Sequence, residues 1–209
     1  VDLPDRDDEA PIAVLDTGEF LVVGLRSGEL VWMTGDGTID RVVTLDTDSE
    51  RMGSIADLAP LDDGGLAAVD TLGPRVHRFD REGVPQTWFG HRGEWVGYLQ
   101  KPKGVAPAHA GTLLVADSSL GAVQLFDGDG TALGVLAVNG EPLRFEHLTA
   151  IEPLGDGKTF LALDAETSTL WGLELTRRAV SDARKAAEVR HLRHPLVEPD
   201  LERPARDPQ

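Results

Sequence analysis

Along most of the chain, apolar and small residues alternate over runs of four to six positions, each bounded by Asp-Gly, Gly-Asp-Gly or Asp-Asp-Gly-Gly. A period of two between such turn residues predicts short β-strands joined by tight hairpins. The pattern then recurs. Thr112-Leu-Leu-Val-Ala-Asp117 is followed by Ala122-Val-Gln-Leu-Phe-Asp127 and the turn Gly128-Asp-Gly130. Gly65-Leu-Ala-Ala-Val-Asp70 leads likewise to Arg75-Val-His-Arg-Phe-Asp80, and Thr159-Phe-Leu-Ala-Leu-Asp164 to Thr169-Leu-Trp-Gly-Leu-Glu174. Near the start, Glu19-Phe-Leu-Val-Val-Gly24 leads to Glu29-Leu-Val-Trp-Met33. With markers at Gly24, Asp70, Asp117 and Asp164, the spacings are 46, 47 and 47 residues, and two apolar anchors follow each marker at six and nine positions.

A four-stranded antiparallel unit of about 40 to 50 residues, repeated, is the signature of a β-propeller blade. One blade cannot bury both its faces, so apolar residues on both are expected. The stretch Pro102-Lys-Gly-Val-Ala106, Leu113 to Asp117, and Val123-Gln-Leu-Phe-Asp127 with Gly128-Asp-Gly130 resembles the NHL repeat. So does the connector from Gly90-His-Arg-Gly93 through Tyr98 to Pro102, and the likeness spans roughly residues 11 to 175. The resemblance implies an all-β propeller of four-stranded blades, and it implies that Asp70, Asp117 and Asp164 cap backbone N–H groups of the turns that follow them. It says little of function, because such propellers serve as scaffolds, sensors and enzymes. Two departures stand out: NHL-like propellers commonly have six blades where four repeats are visible, and the chain holds a single Asn, Asn139, where the repeats usually carry one each. Four blades could close a small ring, form an open arc, or pair with a second chain.

Beyond residue 176 the pattern changes. Residues 177–194 carry six Lys or Arg against Asp182 and Glu188, and Ala179, Val180, Ala183, Ala186, Ala187 and Leu192 form a weak helical stripe with Ser181 as N-cap and Pro195 as stop. The expectation is a short basic helix, followed by a Pro-rich extended tail over 195–209 and preceded by an acidic lead-in over 1–10.

Composition narrows the function. The formal net charge of −16 repels phosphate backbones and anionic membranes, so neither nucleic acid nor direct membrane contact is expected. With a mean hydropathy of −0.18, no run is long enough to span a bilayer, and any membrane contact would come through a partner. There is no cysteine, hence no disulfide or thiolate chemistry. The start at Val1 rather than Met is read as a removed leader, which favours an extracytoplasmic protein over a cytoplasmic one.

No catalytic, metal or cofactor set emerges. Ser118 and Ser119 lie beside Asp117 without a nucleophile elbow. None of His77, His91, His109, His147, His191 and His194 sits in an HExxH or HxH pair. Asp127 and Asp129 open an EF-hand-like run that ends on Val138 instead of a twelfth-position carboxylate. Candidate partner contacts are Trp95, Tyr98 and Arg92 in the longest connector, and Arg184, Lys185, Arg190 and Arg193 in the basic segment, because aromatics and Arg anchor interfaces. The expectation is therefore a non-enzymatic propeller that binds another protein, as an accessory subunit. Its rivals are a propeller hydrolase or lyase with an axial metal, and a small-ligand sensor.

Overall fold

The computed structural model describes residues 10–15, 20–24, 28–44, 53–176 and 187–193. They build four antiparallel blades. Blade 1 is β1 (Ile12–Val14), β2 (Phe20–Gly24), β3 (Glu29–Thr34) and β4 (Ile39–Thr44). Blade 2 is β5 (Ile55–Pro60), β6 (Leu66–Asp70), β7 (Arg75–Phe79) and β8 (Pro85–Phe89). Blade 3 is β9 (Pro102–Pro107), β10 (Leu113–Asp117), β11 (Ala122–Phe126) and β12 (Ala132–Val138), with β13 (Glu141–Pro142) paired on β12. Blade 4 is β14 (Leu148–Pro153), β15 (Thr159–Asp164), β16 (Thr169–Leu175) and β17 (Ala187–Arg193).

The last strand corrects an expectation. Within the segment read as a basic helix, Ala187–Arg193 is a strand that pairs antiparallel with β16 and, at its start, parallel with β12. Ser181, Arg184, Lys185 and the 195–209 tail lie outside the described residues. A sheet edge offering unpaired N–H and C=O groups outweighs a weak helical stripe, because tertiary pairing supplies every backbone bond that an isolated helix would have to make alone.

The first strands pack on one another, β1 on β5, β5 on β9 and β9 on β14, and so line the propeller axis. Three apolar layers fill the junctions between blades. Leu30 and Trp32 meet Leu66, Ala68 and Phe79; Ala67, Val69 and Val76 meet Leu113, Val115 and Phe126; Leu114, Ala116, Val123 and Leu125 meet Phe160, Ala162 and Leu173. Cross-strand pairing shows why both faces are apolar. Leu113 opposes Phe126 on the face toward blade 2, and Leu114 opposes Leu125 on the face toward blade 4, because successive side chains point to opposite sides.

Gly104 lets β9 and β14 approach closely. A Cβ there would sit 3.0 Å from the Ile151 backbone nitrogen and 3.3 Å from the Ile151 Cγ2, so a side chain would force β9 off β14. Pairing also corrects the register of the first repeat. Gly24 opposes Leu30 as Val69 opposes Val76, whereas Asp70 opposes Arg75, so Gly24 does not fill the slot of Asp70.

Candidate functional site

The inner strands follow one template that ends in Pro60, Pro107 and Pro153, each opposite the same position of the next strand. Two carboxylates break that template. Opposite Val69, Ala116 and Leu163 stand Asp57, Gly104 and Ala150. Opposite Ala67, Leu114 and Leu161 stand Ala59, Ala106 and Glu152. A repeat scaffold that only needed to pack would keep small apolar residues in these slots.

Asp57 is partly buried on the face of blade 2 that meets blade 3. Its Oδ2 accepts a hydrogen bond from the Val105 N–H at 2.8 Å, across the junction, and its Oδ1 accepts one from the Leu58 N–H at 2.9 Å. Burial pushes the carboxyl up to about 7; the two N–H donors pull the other way, and the negative charge of Glu152 adds to the rise. Burial also pushes Glu152 upward. Each Asp57 oxygen keeps a second lone pair beyond its backbone bond, so the group can still take up or release a proton.

The repeated Asp residues are engaged otherwise. Asp70 accepts from the N–H groups of Gly53 (2.8 Å), Ser54 (3.1 Å), Leu72 (3.0 Å) and Gly73 (2.8 Å). Asp117 accepts from Gln100 (2.7 Å), Lys101 (3.0 Å), Ser119 (3.0 Å) and Leu120 (3.0 Å). Asp164 accepts from Glu146 (2.8 Å) and His147 (3.0 Å). Burial tends to raise the Asp164 carboxyl, yet these bonds hold it below the ordinary value. In each of blades 2 to 4 one carboxylate thus ties the connector entering the first strand to the end of the second strand. His77 packs beside Asp70, with Nε2 4.0 Å from Oδ2, and Ser118 donates its hydroxyl to the Lys101 carbonyl at 3.2 Å. Asp127 accepts from the N–H groups of Asp129 and Thr131, in the manner of a hairpin turn.

The connector residues lie away from the axis. Trp95 is 78% exposed and Tyr98 41% exposed. Their loop sits over the outer half of blade 3, where buried Gln124 accepts from the Gly97 N–H at 2.7 Å and donates to the Tyr98 carbonyl at 2.6 Å. Arg92 donates to the Leu72 carbonyl at 2.9 Å. Arg190 and Arg193 belong to β17, opposite Glu174 and Trp171. At the other end of the propeller, a groove lined by Asp63, Arg78, Asp80, Glu82 and Gln86 is closed on itself, since Arg78 bonds Asp63 and the Gly128 carbonyl, and Gln86 bonds Asp80.

Asp57 and Glu152 escape a reading that looks for motifs in linear sequence. Aligning Ile55–Pro60, Pro102–Pro107 and Leu148–Pro153 on their final prolines exposes both as departures from the repeat.

No family model matches the sequence, and no curated protein does. Solved structures do resemble the fold. A streptogramin B lyase aligns with a TM-score of 0.67 at 11% identity, over 92% of this chain and 57% of the lyase. Virginiamycin B lyase from Staphylococcus aureus aligns with a TM-score of 0.64 at 13% identity, over 92% of this chain and 58% of the lyase. The chain thus spans somewhat over half the length of these neighbours. At such identity the likeness shows the β-propeller fold alone; that both of these neighbours are named lyases contradicts the expectation of a non-enzymatic accessory module.

Proposed function

We propose that this chain, built of NHL-type repeats, acts as a propeller lyase on a small molecule bound at the axis, with Asp57 as its proton-transfer group. The observation that carries the reading is the break in repeat symmetry at the axis, which places a carboxyl with a pKa of about 7 on an inner strand. A lyase removes a proton beside an electron-withdrawing group and expels a leaving group without adding water. Such an elimination is served by a group poised to hold or give up its proton near neutral pH. Asp57 as carboxylate takes the proton, and its two backbone bonds fix its orientation. Burial keeps that proton affinity high, and like-charge repulsion from Glu152 adds to it. The names of the fold's neighbours support the reaction class. Among the described residues no group of three His, Asp or Glu is placed to hold a metal ion, and no step is derived through one.

The test is incubation with virginiamycin B at neutral pH, followed by mass spectrometry. The expected result is consumption to a product that has taken up no water, slowed about 100-fold or more by Asp57→Asn. A folded protein that leaves the antibiotic intact, or that adds water to it, overturns the proposal.

A further inference from the structure

The connection from blade 3 to blade 4 opens on the single Asn of the chain. Asn139 and Gly140 form a two-residue loop between β12 and β13, closed by the pairs Val138–Glu141 and Ala137–Pro142. Both loop residues have positive φ, 52° and 83°, the geometry of a type I′ turn, which favours the sequence Asn-Gly. The fold thus explains why an Asn stands there, and it leaves that side chain with nothing to hold it. Asn139 and Gly140 are exposed. Among the described residues neither the Asn139 carboxamide nor the Gly140 N–H has a hydrogen-bond partner. A Cβ built on Gly140 would meet nothing within 4 Å beyond its chain neighbours, so that side of the turn faces open space. The hairpin is also short, since β13 has two residues and both are exposed. Few buried contacts resist a local opening of the turn.

We propose that Asn139 is a modification site, where the folded protein deamidates spontaneously to aspartate and isoaspartate. The Gly140 nitrogen, once it gives its proton to base, attacks the carbonyl carbon of the Asn139 side chain. A C–N bond forms there, the bond to the side-chain nitrogen breaks, and that nitrogen takes up a proton and leaves as ammonia. The resulting succinimide ring then adds one water. Opening at the side-chain carbonyl gives aspartate, and opening at the backbone carbonyl gives isoaspartate. Aspartate keeps the course of the backbone and adds a negative charge near Glu141. Isoaspartate carries the chain through its side chain and so adds one carbon to the loop. A two-residue turn cannot absorb that carbon without losing its register, which loop length sets. The consequence reaches the core. The Leu143 N–H donates to the Leu136 carbonyl at 2.8 Å, and Leu143 packs on the apolar layer between blades 3 and 4. The Phe145 N–H donates to the Gly121 carbonyl at 3.0 Å, and Asp164 ties the two residues that follow. A lost register at β13 therefore loosens the connector that seats blade 4. The inference is independent of the acid–base role given to Asp57.

The test incubates the full chain at 37 °C, at neutral and at mildly alkaline pH, folded and in urea, with intact mass and peptide mapping as readouts. The folded wild type is expected to gain one mass unit at residue 139, faster at the higher pH because the attacking nitrogen must lose its proton. Two product peptides are expected, one of them methylated by an isoaspartyl methyltransferase added as a probe. Asp-Gly steps elsewhere, such as Asp127-Gly128, isomerise without a change in mass, so the gain reports an amide. Asn139→Gln, whose longer side chain would have to close a six-membered ring, is expected to keep its mass over the same period. The isoaspartate form, separated by chromatography, is expected to unfold at a lower temperature than wild type, and Asn139→Asp close to wild type. A folded wild type that keeps its mass overturns the proposal, whatever the chain does in urea, and so does Asn139→Gln gaining mass as fast as wild type. An isoaspartate form as stable as wild type overturns the link to the seating of blade 4.

Discussion

Replacing Asp57 by Asn tests the environment on which the proposed chemistry depends. The carboxyl stands at about 7 in the fold against 3.8 in a solvated chain. Between those values the folded protein binds a proton that the unfolded chain has released, so unfolding is disfavoured at low pH and stability falls as pH rises from about 4 to 7. At ~1.36 kcal/mol per unit, the full span is worth about 4 kcal/mol as an upper bound. The partial exposure of Asp57 makes about 2 kcal/mol the working expectation. Asn keeps the shape and one acceptor for the Val105 or Leu58 N–H but cannot ionise. Urea unfolding followed by circular dichroism at several pH values between 4.5 and 8 reads the effect, with wild type and variant compared at each pH. Asp164, held low by its backbone donors, works in the opposite sense and loses its stabilising charge only below that window. The wild-type curve should fall relative to the Asp57→Asn curve by about 2 kcal/mol across the range. Two parallel curves would show that Asp57 titrates as an ordinary surface carboxylate, and its place in a proton-transfer site would go with them.

Asp117→Ala removes the acceptor of four backbone N–H groups in a fully buried position. With each orphaned donor costing on the order of 1 kcal/mol after partial rescue by water, thermal unfolding should show a loss of about 3 to 4 kcal/mol; a loss under 1 kcal/mol would mean that the turn does not need its carboxylate. Gly104→Ala puts a methyl group 3.0 Å from the Ile151 backbone nitrogen. Overpacking of that kind should cost about 1 to 3 kcal/mol in denaturant unfolding, and an unchanged midpoint would show that the junction between blades 3 and 4 is looser than the structure has it.

The division between what the chain spells out and what folding adds follows from the range of the interactions. Strand period, turn residues and the spacing of about 47 residues are local signals, set by side-chain alternation and the φ preferences of Gly and Asp. They suffice to specify blades, because every blade answers to the same short-range rules. The recurrence of Asp70, Asp117 and Asp164 in one slot was likewise legible, since the same backbone turn needs the same acceptor each time. The weak helical stripe over 177–194 misled, because periodicity does not report a sheet edge waiting to be paired, and β17 took that edge at Ala187–Arg193. Trp95 and Tyr98, candidate partner contacts in the linear reading, stand exposed on a loop whose place over the outer half of blade 3 is set by Gln124, which only the tertiary structure brings to it. The axis itself is made only when residues some 48 apart, such as Asp57 and Val105, are brought to 2.8 Å. A carboxyl in a strand of alternating residues reads as one polar position among many; its proton affinity belongs to the neighbouring blades that strip water from it, and those only the tertiary structure supplies.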